Sequence, residues 1–363
     1  MLQKHCIQAG HDEAIIEMEA GSVNMERIFE YQLKQADLED TNDGRVIWIL
    51  RRRLGLTAHE FRHAKYTENG ICMRYPDGNE HKVILSDQLR PGDTLVVRLS
   101  DSGQSLEEQD LVPAKGELDI LYEDDDVIVL NKPAGTVVHP SHGHYADSIA
   151  NYLAWYYKEK DLQAITRAVG RLDKETSGAL LFAKNRAAAG RLFEQRKKGI
   201  LRRRYIALAE GSFSEKTGTI DRPIGPSPDS IAKRMVCPDG QDAFTQYEVL
   251  KEIEHEGRTC SLLGVEIRTG RTHQIRVHME SIGHPLCGDT LYGRAPAAAL
   301  QGQAADRQHE AVAPQAPAAP GFHRAMLHAA GLWFQQPFTK EPIHVTALFP
   351  EDFRSIRGLL DGE

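Results

Sequence analysis

The strongest restriction on the fold is the uneven mixture of strand-like and helix-like segments between residues 118 and 360. Short apolar runs at 127–130, 179–183, 205–209, 247–250, 262–267, 326–334 and 343–349 are interrupted by only three helical patterns, at 148–157, 187–197 and 272–281. A doubly wound parallel sheet needs a helix between successive strands, because a parallel crossover cannot be made by a tight turn. Too few helices are present for that, so the sequence predicts a large α+β domain. One stretch breaks the pattern: residues 295–320 are rich in Ala, Pro and Gln, and are expected to form a flexible surface loop.

Upstream of this domain the 363-residue chain has room for a smaller module. Residues 1–44 are acidic and show no clear periodicity, and are expected to form an appendage of undefined fold. From residue 45 a helical pattern begins, with Ile47, Ile49, Leu50 and Leu54 apolar. Thr57 then opens a second helix as its cap, with Glu60 three residues on. Strand-like pieces at 70–73 and 82–85, a Pro91-Gly92-Asp93 turn and a β-branched run at 94–99 complete a unit over 45–100. Residues 101–117 read as an acidic linker.

The formal charge of −8 at first opposes nucleic-acid binding, which needs cations for phosphates. The average conceals the distribution. Residues 1–44 and 101–126 together carry −16, which leaves the remainder at +8. Basic residues cluster at Arg51, Arg52 and Arg53, and again from Arg196-Lys197-Lys198 to Arg202-Arg203-Arg204, a patchiness suited to an RNA surface. The 5 cysteines are scattered without a CxxC pair, which argues against a disulfide framework or a zinc site, and reduced thiols are expected. With neither a signal-peptide pattern nor a membrane-length apolar run, a soluble cytoplasmic protein is expected. No heptad pattern calls for a partner helix, and a monomer is expected.

The segment GRLDKETSGALLFAK, residues 170–184, carries the chemistry. Thr176, Ser177 and Gly178 are turn formers, and 179–183 is an apolar run, so Asp173 sits in a tight loop feeding a buried strand. A carboxylate fixed by the strand behind it suits a nucleophile, although an aspartate in a turn also serves as a simple side-chain cap. In TGRTHQIRVHMESIGHPLCGDTLYG, residues 269–293, Ile275, Met279 and Ile282 fall on one helical face, with Thr272 as a possible cap. His273 and His278 are five residues apart rather than the four of a helical zinc pair, so no metal site is expected. No GxGxxG turn or GxxxxGK[ST] loop is present, and no cofactor is expected.

RLDKETSG resembles the signature of RluA-type pseudouridine synthases, with Gly170 where the family usually has histidine. RRRYIALAEG, residues 202–211, resembles the family's basic-x-tyrosine strand, and residues 269–293 resemble its longest motif. NKPAGTVVHP and MLHAAGLWFQQP flank them, so the resemblance covers roughly residues 117–350. Residues 45–100 loosely resemble the α-L RNA-binding module of ribosomal proteins. The resemblance implies a mixed, mostly antiparallel central sheet flanked by helices, and isomerisation of uridine to pseudouridine in 23S rRNA or tRNA. Asp173 is then the nucleophile, Tyr205 stacks on the uracil, and Arg276 forms an ion pair with Asp173. Arg171 fills the space or binds the phosphates of the flipped nucleotide, with Arg51, Arg52, Arg53, Arg203, Arg271 and His273 as further RNA contacts. Two other readings are a catalytically inactive RNA-binding relative and an N-glycosidase that stops once the sugar–base bond is broken.

Overall fold

The computed structural model describes residues 3–9, 12–19, 26–37, 45–75, 77–100, 111–162, 164–293 and 321–356. The segment 295–320 and most of the expected linker lie outside these residues. No helix among them is long and apolar enough to cross a membrane.

The large domain is α+β and is built on a ten-stranded sheet. Its centre is β8 (Val127–Lys132), β10 (Ser177–Ala183), β17 (Leu327–Gln335), β11 (Arg202–Glu210), β16 (Arg258–Ile267) and β15 (Phe244–His255), hydrogen-bonded in that order. All neighbours are antiparallel except β10 and β17, where Ser177 pairs with His328 and Gly178 with Ala329. That parallel step joins strands about 150 residues apart in sequence, so the sheet is mixed.

Strand β10 is buried on both faces and reads as an unbroken apolar run for that reason. Its side chains alternate between two cores. Ala179, Leu181 and Ala183 pack on one face with Val127 and Val129 of β8. Leu180 and Phe182 pack on the other with Ile128 and Leu130. The first face is covered by helix α4 (Arg186–Lys197) and by the small N-terminal unit; the second by α3 (Ile149–Glu159) and α5 (Gln274–Ser281).

The small unit holds the expected helix pair, α1 (Val46–Arg52) and α2 (Ala58–Tyr66). Thr57 and Glu60 form a reciprocal capping box at the start of α2. Its sheet runs β1 (Gln3–Ala9), β2 (Asp12–Glu19), β3 (Glu26–Gln32), β6 (Thr94–Ser100), β4 (Ile71–Arg74), β5 (Glu80–Lys82). The boundary expected at residue 45 therefore falls too late. Strand β3 lies inside the unit, paired with β6 along its whole length. The signal was present in alternation: Phe29, Tyr31 and Leu33 are buried two residues apart.

The two parts share one continuous core, since Phe29, Tyr31, Ile49, Leu50 and Phe61 cluster with Leu181, Leu192, Phe334 and Phe338. Two buried ion pairs cross the same boundary, Arg191 with Glu60 at 2.8 Å and Arg27 with Asp126. Asp126 also accepts from Asn185 and Gln336, each at 2.7 Å. Buried pairs of this kind add little net stability but strongly penalise misdocking, because separation leaves a charge unpaired. The small unit is thus fixed against the sheet face opposite the second core.

Candidate active site

The loop that enters β10 is held from both sides. Lys132, at the end of β8, is fully buried and donates from Nζ to the carbonyls of Pro133, Thr136 and Lys174 at 2.7, 2.8 and 3.0 Å. Gly135 N–H also donates to Lys174 O at 2.8 Å. On the opposite side Arg324 donates to Glu175 O at 2.8 Å and to Ser177 Oγ at 3.2 Å, and its far side is paired with Asp352. The flanking segments NKPAG and RAMLHAAG therefore act as braces for residues 174–177. Burial, reinforced by the Arg324 charge and opposed by Asp173, draws the Lys132 ammonium down to about 7.

Gly178 is required where the loop joins the sheet. It has φ +110, and a Cβ there would lie 2.3 Å from Ala329 O. This close approach is what lets β10 and β17 pair in parallel beside the loop. Thr176 N–H closes the turn on Asp173 O at 3.1 Å. Among the described residues none hydrogen-bonds the Asp173 carboxylate, so the turn is closed by its backbone.

That half-buried carboxylate lines a cavity of about 360 Å³ on the sheet face of the second core, within the usual range for small-molecule sites. Arg171, Arg203, Tyr205 and Arg271 line the same cavity, so five of the sequence-predicted residues converge there. Tyr205 is buried in β11; its burial, opposed by the Arg203 charge and aided by that of Asp173, raises the phenol above its ordinary range and keeps it neutral. Arg171 Nη2 donates to the Thr272 hydroxyl, tying the Asp173 loop to the entrance of α5.

Arg276 is placed differently from expectation. Its guanidinium does not reach Asp173 within ion-pair distance. Instead it is buried and bonded twice to Asp289, at 2.6 and 2.7 Å, with Glu175 at 3.9 Å. Burial pulls its pKa down, but the bonds and charge of Asp289, with the charges of Asp173 and Glu175, outweigh that and raise it. The Asp173 charge thus reaches Arg276 through space rather than by a direct contact. The sequence reasoning missed Asp289, although it stands in the GDTLYG portion of the same motif.

His273 also lies off the cavity wall. It caps α5 in a left-handed conformation (φ 57) and shares a 2.9 Å hydrogen bond with the Tyr292 hydroxyl. Thr272, expected as the cap, is used by Arg171 instead. Helix α5 starts where it does because Gln274 Oε1 accepts from Arg271 N–H at 3.0 Å and from Thr269 Oγ1 at 2.8 Å. In the small unit Arg51 and Arg52 are exposed, whereas Arg53 is turned onto Asp37 at 2.7 Å. That pair makes Arg53 a structural residue.

Two titratable residues of the cavity were not anticipated as site residues, His139 and Arg196. Burial, then the Arg167 charge, lowers the His139 imidazole. Burial, then the neighbouring Arg203 charge, lowers the Arg196 guanidinium. The basic run 196–198 was visible in the sequence, but nothing local indicated that its first member reaches the Asp173 cavity.

A family described as RNA pseudouridylate synthase matches residues 126–281, a span containing Asp173, Tyr205 and Arg276. Uncharacterized RNA pseudouridine synthase YhcT of Bacillus subtilis (strain 168) is 37% identical over 277 residues, covering 76% of this chain and 82% of that protein. Ribosomal large subunit pseudouridine synthase D of Xanthomonas campestris pv. campestris is 37% identical over 333 residues, covering 90% and 92%. Among solved structures, Human RNA Pseudouridylate Synthase Domain Containing 1 aligns with a TM-score of 0.49 and 27% identity over 69% of this chain and 87% of that one. Identity at this level across three quarters or more of both sequences, with the braced aspartate loop and the tyrosine strand inside the matched span, makes the chain a member of the RNA pseudouridine synthase family, of the RluA type.

Proposed function

We propose that this protein converts specific uridines of structured RNA, in 23S rRNA or tRNA, to pseudouridine, with Asp173 as the nucleophile. The reaction breaks the bond between ribose C1′ and uracil N1 and forms one between C1′ and C5. N1 gains a proton, the C5 proton leaves to solvent, and no electrons are exchanged. The observation that carries the reading is the convergence of a carboxylate on a doubly braced loop, a neutral buried tyrosine and several guanidiniums around one nucleoside-sized cavity.

A uridine must leave the RNA stack to enter that cavity, at a cost of roughly a few kcal/mol. Arg171, exposed at the rim and anchored on Thr272, is suited to contact the phosphates or fill the gap left behind. Arg203 and Arg271 supply further positive charge to the wall. Tyr205 offers a flat apolar face and an un-ionised hydroxyl, which fits stacking and hydrogen bonding to the base rather than service as a phenolate base. Arg276, held by Asp289, supplies fixed positive potential near Asp173. We further propose that the small unit, with Arg51 and Arg52 exposed on it, contacts RNA that extends around the sheet edge.

The test is tritium release from 23S rRNA and tRNA transcripts labelled at uridine C5. The expected result is stoichiometric release from a small number of sites, with pseudouridine recovered on digestion. Recovery of free uracil would favour an N-glycosidase, and no release from either RNA would exclude this substrate class.

A further inference from the structure

A second concavity of about 460 Å³ adjoins the Asp173 cavity, and Arg196, Arg203 and Ile267 line both. Its remaining wall is strongly basic: Lys197, Lys198, Arg202 and Arg268 contribute to it, against a single acidic residue, Glu266. Among the described residues, none of these cations forms an ion pair. The Arg268 guanidinium lies 4.5 Å from the centre of the Phe244 ring, which makes a cationic platform in the wall of the groove.

The partition between the two cavities is made by guanidiniums. Arg196 Nη2 lies 2.2 Å from where a Cβ of Gly270 would be. Arg203 Nη1 lies 2.6 Å from where a Cβ of Gly170 would be, and Gly170 has φ +81. Arg203 thus uses the space left by the absence of a side chain at 170, and it is anchored by donating to Val169 O. Crowding of Arg196 by Arg203 and Arg271 contributes to its lowered pKa, behind burial. Like charges gathered without an ion-paired carboxylate are stabilised by an anion from outside.

We infer that this groove is a second nucleotide subsite, which takes the residue of single-stranded RNA adjoining the target uridine, with its phosphodiester at the Arg196–Arg203 partition and its base on the Phe244–Arg268 platform. The chemistry matches sequence-tolerant recognition of an unstacked strand, in which cations follow the backbone and a flat side chain takes the base. The inference rests on the adjoining cavity being the uridine site. The other role open to Lys197 and Lys198 is to complement the C-terminus of α4, which is independent of RNA.

The experiment is a fluorescence-anisotropy titration of the full-length protein with a 5′-fluorescein-labelled decauridylate over a range of salt. Arg268→Glu combined with Lys197→Glu is expected to weaken binding at least tenfold. The slope of log affinity against log salt should become shallower, by roughly 0.7 for each single-strand phosphate contact that the two charge reversals remove. Phe244→Leu, which keeps an apolar side chain but not a ring, is expected to weaken binding at least fivefold. Arg258→Glu, an exposed change outside the groove, is the control. Groove variants that match this control within twofold and keep the wild-type slope would overturn the inference, as would a wild-type protein that does not bind the oligonucleotide. Binding needs no turnover, so tight groove-dependent binding without tritium release would instead count against the isomerase reading alone.

Discussion

The Arg276 guanidinium is clamped by Asp289, with Nε to Oδ2 at 2.6 Å and Nη2 to Oδ1 at 2.7 Å, both side chains being almost wholly buried. Asp289 Oδ1 also accepts from the N–H groups of Leu291 and Tyr292 at 3.0 Å. One carboxylate therefore fixes both the helix that carries Arg276 and the loop that follows it. Asp289→Ala strands a buried guanidinium, and unpaired buried charges of this kind cost about 3–5 kcal/mol. Chemical denaturation should show a loss of that order, and Asp289→Asn a smaller one. A midpoint unchanged in Asp289→Ala would show that Arg276 has another sufficient partner.

Gly178→Ala places a methyl group against the Ala329 backbone at a φ of +110. The conformation alone costs roughly 1–3 kcal/mol, before the contact is counted. Because the same residue ends the Asp173 loop, kcat should fall along with the melting temperature. Preserved kcat in a folded, destabilised variant would mean that the β10–β17 junction does not position the carboxylate.

Removal of residues 1–100 should do more than weaken RNA binding. The small unit covers Leu181, Leu192, Phe334 and Phe338, and its Glu60 neutralises the buried Arg191. The truncated protein is expected to be insoluble or to bind a hydrophobic dye with loss of cooperative melting. A truncated chain that melts cooperatively near the full-length temperature would show that the shared core is dispensable.

Two buried histidines predict acid sensitivity. His278 lies between Arg222 O at 3.0 Å and Thr245 Oγ1 at 2.8 Å, and His328 between Ala347 O at 3.2 Å and Ser177 Oγ at 3.0 Å. In each ring the carbonyl takes the Nε2 hydrogen and the hydroxyl donates to Nδ1, which suits the neutral imidazole. Burial lowers both pKa values from the ordinary 6.5. Below about pH 6.5 the unfolded chain binds protons that the folded chain refuses, so stability falls as pH falls. The melting temperature should be level between pH 7 and 8 with respect to these groups, and should drop between 6.5 and 5. A rise on acidification would contradict the assignment.

Local signals in the sequence carried much of this arrangement. The Thr57 and Glu60 cap, the unbroken apolar run of β10 and the turn before it each depend on neighbours within a few residues, and each stands where the pattern places it. Of the residues that the motifs single out, Asp173, Tyr205, Arg171, Arg203 and Arg271 line one cavity, whereas Arg276 and His273 do not. Contacts set by tertiary packing were not legible. Arg324 reaches Glu175 across 149 residues, and no periodicity encodes that distance. Arg276 could be placed on its helix, but the choice between Asp173 and Asp289 depends on how the 282–289 segment folds back. Strand β3 was overlooked because Arg27 stands on its buried phase and Ile28 off it, which blurs the alternation, although Phe29 and Tyr31 face the core.

The claim on which the account depends is that the Asp173 carboxylate attacks or assists at the ribose. Asp173→Asn keeps the size of the side chain and, with no described hydrogen bond to lose, should leave folding and RNA affinity within about twofold. Single-turnover tritium release from C5-labelled RNA, measured with RNA bound to saturating variant, tests this directly. No release above background is expected. Release at a rate near that of the wild type would contradict it.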